Sequence, residues 1–150
     1  MQIEYKEQEA VPVLKVRTRA TVETLPKAIG ENYGKIMGYL TELGEQPADA
    51  PYTCYHNNDM EDLAVEMGFP TEKELPGRDD IESGEIPAGQ YVTAMYTGPY
   101  IEMEKPYNEM FAWMKKQGYE PTGESYEVYY NSPGEVPAAE LLTKITMPVK

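Results

Sequence analysis

Several things are scarce in this sequence, and each scarcity excludes something. It has one cysteine, Cys54, and one histidine, His56. A lone cysteine rules out an internal disulfide, and one Cys with one His falls short of a Cys/His zinc site, so neither a structural metal nor a cofactor is expected. No apolar run approaches the roughly 20 residues that span a bilayer, and the opening MQIEYKEQEA lacks the basic-then-apolar order of a signal peptide. A cytoplasmic location with no membrane partner is the expectation. Basic residues are few: 13 Lys and Arg against 26 Asp and Glu leave a formal net charge of −13. No basic cluster stands apart to neutralise phosphates, which argues against direct nucleic-acid binding. Aromatic residues without a hydroxyl are also few, with 2 Phe and 1 Trp beside 13 Tyr. Rings that carry a hydroxyl suit positions that are partly wet or line a site.

What is present is a repeat. The stretches YGKIMGYLTELGEQPADAPYTCYHN and YNEMFAWMKKQGYEPTGESYEVYYN align without a gap, every pair 74 residues apart. Tyr33/Tyr107, Gly44/Gly118, Pro47/Pro121, Tyr52/Tyr126, Tyr55/Tyr129 and Asn57/Asn131 are identical pairs. The second copy then has a longer connection, SPGEVPAAE, before LLTKITMP matches LAVEMGFP.

Each copy reads as strand, helix, strand, strand. Leu25, Ile29, Tyr33, Ile36, Leu40 and Leu43 recur at helical spacing between Pro26 in a first turn and Gly44 past the end. Tyr107, Met110, Phe111 and Met114 form the second stripe, with Pro106 at its start and Gly118 at its end. Leu25, Ile29, Ile36, Leu40, Met110, Phe111 and Met114 are the expected core. The strands are VPVLKVRTRA and GQYVTAMYTG before the helices, and YTCYHN with LAVEMGF, and YEVYYN with ELLTKITMPV, after them. PTEKELPGRDDIESGEIPAG reads as a surface linker. The length fits one domain, residues 1–150, made of half-repeats at about 1–70 and 83–150. The fold class expected is α+β: a tandem, pseudo-symmetric duplication giving an antiparallel sheet, two helices and a central ligand groove where the halves meet. A monomer is expected.

Motifs for chemistry are sparse. GEIPAGQ has the glycine spacing of a phosphate loop, but Gln90 and Tyr91 replace its Lys and Ser/Thr. No Gly-x-Ser-x-Gly elbow surrounds Ser83, Ser125 or Ser132. Carboxylates remain. In SYEVYY, alternation puts Tyr126, Val128 and Tyr130 on one strand face and Glu127 with Tyr129 on the other. A charge inside such a strand must face solvent or meet a partner, because stripping its water costs several kcal/mol. Its counterpart in the first copy is Thr53, so only one half carries the charge. Glu140 would open the neighbouring last strand and bring a second carboxylate nearby.

TGPYIEM, WMKKQGYEPTGESYEVYYNSP and ELLTKITMPV together resemble the GyrI-like small-molecule-binding family, the effector-binding domain also fused to AraC-type and MerR-type regulators. The resemblance implies an SHS2-type duplication with a cleft between the halves. It implies that Glu127 lies at the base of an aromatic pocket for lipophilic cations, that Glu140 contributes, and that Tyr129, Tyr96 and Trp113 are candidate walls. With the first strand expected almost at Met1, no helix-turn-helix is expected ahead of it, so the chain reads as a stand-alone domain that senses or sequesters an amphipathic, cationic small molecule. Two alternatives belong to other classes. One is a hydrolase opening cyclopropane-containing natural products with Glu127 as base and Tyr129 or Tyr96 as acid. The other is a protein binder acting on DNA gyrase or a regulator.

Overall fold

A computed structural model describes residues Met1–Lys150. The strands are β1 (Ile3–Gln8), β2 (Val11–Ala20), β3 (Tyr52–Tyr55), β4 (Leu63–Pro70), β5 (Glu82–Ile86), β6 (Gly89–Thr97), β7 (Ser125–Tyr129) and β8 (Leu142–Pro148). The helices are α1 (Leu25–Leu43) and α2 (Glu104–Gln117), with 3-10 turns at Tyr100–Glu102 and Ala138–Glu140. The chain divides into two compact units, Glu9–Ala88 and Met1–Gln8 with Gly89–Lys150, called here the first and second unit.

Both units have the same internal plan. In the first, β2 pairs with β4, β4 with β3, and β5 flanks β2, all antiparallel. In the second, β6 pairs with β8, β8 with β7, and β1 flanks β6, again antiparallel. The fold class is α+β, a mostly antiparallel sheet structure with two helices. The flanking strands differ in origin: β5 follows the repeat in the chain, whereas β1 precedes it.

Repeated residues have repeated jobs. Gly44 (φ 71°) and Gly118 (φ 84°) end the two helices in the left-handed conformation that a side chain resists. Asn57 accepts from the Ala64 amide and donates to the Asp62 carbonyl, and Asn131 accepts from the Leu142 amide and donates to the Glu140 carbonyl. The same side chain closes both β-connections, although the second is longer. Pro47 bridges to Thr71 and Pro121 to Val149 in the same way.

The cores follow the helical stripes, with two departures. Leu25, Ile36, Leu40, Met110 and Met114 are buried, and Ile29 is half-buried against Leu25, Leu63 and Met67. Phe111, expected in the core, is 44% exposed. Met110 and Met114 already define the buried line of α2, and Phe111 lies to one side of it. The stretch read as a surface linker is also more than that. It contributes β5 to the first unit's sheet, and Leu75 and Ile81 are buried against Leu14, Ile36 and Leu40. Its Pro, Gly and charged residues hid two isolated core anchors. No helix is long and apolar enough to cross a membrane.

Candidate functional site

The site belongs to the second unit and starts from strand register. On β7 and β8, Glu127 is opposite Ile145 and Tyr129 is opposite Thr143. On β6 and β8, Ala94 is opposite Ile145 and Tyr96 is opposite Thr143. Residues opposite each other project to the same face. Two rungs therefore cross the sheet, Ala94–Ile145–Glu127 and Tyr96–Thr143–Tyr129. Ala94 and Ile145 pack in one cluster with Met110 and Met114, so this is the face covered by α2.

Glu127 is thereby carried under a helix and is only 8% exposed. Two tyrosines hold it: Tyr107 on α2 donates to Oε2 at 2.5 Å, and Tyr129 donates to Oε1 at 2.8 Å. Tyr107 Oη also lies 3.2 Å from Ser125 Oγ. No Lys, Arg or His forms a salt bridge with Glu127. Burial pushes its carboxyl above the ordinary range, and the two tyrosine hydrogen bonds pull back toward the ionised form. Burial makes the ionised form of this carboxyl the costly one.

Aromatic surface surrounds the carboxylate. The Tyr100 ring meets Tyr129 edge to face, 5.9 Å between centroids, and its hydroxyl is held above its usual range by burial and then by the Glu127 charge. Tyr96 donates to the Pro99 carbonyl at 2.9 Å and so fixes the loop that presents Tyr100. That loop needs its glycine: a Cβ at Gly98, where φ is 153°, would lie 2.6 Å from the Tyr96 hydroxyl oxygen. Phe111, one helical turn beyond Tyr107, brings its ring within 6.4 Å of the Tyr107 ring and offers an exposed apolar face.

The structure therefore brings Glu127 and Tyr129 into contact and places Tyr96 on the next rung. Trp113 lies elsewhere, stacked on Tyr119, which stacks on Tyr5 of β1. Glu140 does not open the last strand. It ends the 3-10 turn Ala138–Glu140 with its side chain exposed, and β8 begins at Leu142 after the Asn131 bridge. By sequence alone Tyr107 and Phe111 belong to the core stripe, while Tyr100 and Thr143 carry no signal. The one available signal was the identity of Tyr33 and Tyr107. In the first unit Tyr33 reaches Thr53 at 2.9 Å, the same helix-to-strand contact with a neutral partner.

The second unit is thus a helix-covered antiparallel sheet with a buried carboxylate held by two tyrosines. The chain belongs to the GyrI-like small molecule binding domain family, whose model matches residues 1–150. Among curated proteins none matches it. Several solved structures share the fold. EcmrR seen in a complex with DNA is 23% identical, with a TM-score of 0.84 over 99% of this chain and 57% of that one. The present chain thus spans little more than half of that protein. The EcmrR C-terminal domain taken alone is 22% identical, with a TM-score of 0.81 over 99% of this chain and 97% of that one. A hydrolase from Listeria innocua is 16% identical, with a TM-score of 0.74 over 99% and 92%. SAV2435, solved with tetraphenylphosphonium bound, is 10% identical, with a TM-score of 0.68 over 100% and 94%.

Proposed function

We propose that the chain binds lipophilic cations at Glu127, as a sensor or sequestering domain. One observation carries this reading: a carboxylate is buried under α2 with two tyrosine donors and no cationic side chain of its own. In a site of low polarity a cation gains Coulomb attraction to that charge, and the faces of Tyr100, Tyr129 and Phe111 add cation–π and apolar contact. Tetraphenylphosphonium, bound by the SAV2435 relative, is a ligand of this class. The test is calorimetric titration with tetraphenylphosphonium and an uncharged tetraphenyl analogue. Glu127→Gln should weaken the cation about tenfold, equivalent to about 1.4 kcal/mol, and leave the neutral analogue unchanged. Equal losses for both would mean a damaged pocket, and no loss for either would remove Glu127 from the site.

Hydrolysis is a second reading with one feature in its favour. A carboxyl raised by burial beside tyrosine hydroxyls has the properties of a general base with acids at hand. On that reading Glu127→Gln would abolish turnover of an electrophilic substrate while its binding persisted.

A further inference from the structure

Resting on the cation-binding reading, we infer that Thr143 is a second anchor of the same site, selecting cations that also carry a hydrogen-bonding heteroatom. Thr143 is completely buried, and its Oγ1 meets no hydrogen-bond partner. A buried hydroxyl in that condition is a net cost to the fold, because it has given up water and gained nothing. Register aims it at the site: it shares a rung with Tyr96 and Tyr129, on the face that carries Glu127. Glu127 is opposite Ile145, two residues along β8, so Thr143 is its diagonal neighbour, at the roughly 7–8 Å separation of such pairs.

The other unit supplies an internal control. Val65 occupies the corresponding place, opposite Tyr55 on β3 and Thr18 on β2, and is 1% exposed. Valine has the shape of threonine without the hydroxyl, so this fold position is filled well by an apolar side chain. The unit that has Thr53 in place of Glu127 has Val65 in place of Thr143. Charge and orphan hydroxyl thus occur together, in one unit only. A threonine hydroxyl both donates and accepts, so an amide, ether, carbonyl or hydroxyl on the ligand would satisfy it.

The test uses a matched pair of probes, n-butyltriphenylphosphonium and a triphenylphosphonium whose alkyl arm ends in a primary amide, titrated calorimetrically into the whole chain. The wild type should prefer the amide-bearing probe. Thr143→Val should weaken that probe five- to tenfold and change the butyl probe less than twofold, while Thr143→Ser should preserve the preference. Should Thr143→Val fold poorly, Thr143→Ala compared with Thr143→Ser isolates the hydroxyl in the same way. Glu127→Gln separates the two ideas, since it should weaken both probes alike. Loss of both probes in Glu127→Gln with no preference lost in Thr143→Val overturns the Thr143 anchor and leaves the cation site standing. No effect of Glu127→Gln on either probe overturns the cation site and the anchor with it.

Discussion

The Tyr107 hydroxyl stands 2.5 Å from Glu127 Oε2, joining the first turn of α2 to the middle of β7. The corresponding pair in the first unit, Tyr33 and Thr53, is 2.9 Å apart and carries no charge. One contact of the duplicated plan is structural in one unit and electrostatic in the other.

Removing each tyrosine hydroxyl should expose that difference. Tyr107→Phe deprives a buried carboxylate of a donor, a loss of about 1.5–3 kcal/mol for a hydrogen bond to a charged group. Tyr33→Phe removes a neutral bond, worth about 0.5–1.5 kcal/mol. Urea unfolding at neutral pH measures both, and the Tyr107 variant should lose more. Acidification should shrink its excess loss, because the protonated carboxyl no longer needs the donor as strongly.

Stability should depend on pH through Glu127 in the direction opposite to that of a salt-bridged carboxylate. Unfolded, the group titrates near its ordinary 4.5, while burial raises it in the folded protein. The folded state therefore holds the proton more tightly. The contribution is fully present below the unfolded value and is lost as pH rises through the folded value. Glu127→Gln removes that loss, so the stability gained by the variant over the wild type should grow as pH rises above about 4.5. Denaturant midpoints from pH 4 to 8 read it, and a difference independent of pH would show an unshifted carboxyl.

Packing predictions differ sharply for two adjacent residues. Met110 is fully buried, and Met110→Ala should cost about 2–5 kcal/mol. Phe111 is exposed at the edge of the Glu127 site, so Phe111→Ala should cost less than about 1 kcal/mol in stability yet weaken tetraphenylphosphonium binding severalfold. Thermal unfolding and calorimetry on the same two variants check both statements.

Helix α1 contains Gly30, Gly34 and Gly38, at each of which an added Cβ would meet nothing within 4 Å. None of the three has a positive φ. Each Gly→Ala should stabilise by roughly 0.5–1 kcal/mol through helix propensity and a less entropic unfolded chain. A loss of stability at any of them would mean that the exposed glycine stripe contacts something.

The sequence alone determined what short-range rules control. Helical periodicity located both helices, because an apolar stripe recurring every three to four residues has one stable solution in water, and six of the eight strands were legible as β-rich runs, β1 and β5 being the two that were not. Gly44 and Gly118 marked the helix ends through the left-handed φ that glycine tolerates. Strand alternation put Glu127 and Tyr129 on one face, and the tyrosine-to-carboxylate bond between them confirms that placement. What it could not determine were the contacts made across elements. The pairing of β1 with β6 and the recruitment of β5 depend on which sheet edges are open to a strand, and neither segment advertises its partner. Phe111 and Tyr107 share a stripe with Met110, yet the rotation of α2 on its sheet buries Met110, exposes Phe111 and sends Tyr107 to Glu127. Thr143 could be recognised as an orphan only once its rung was closed by Tyr96 on one side and Tyr129 on the other, since burial of a hydroxyl depends on everything packed around it.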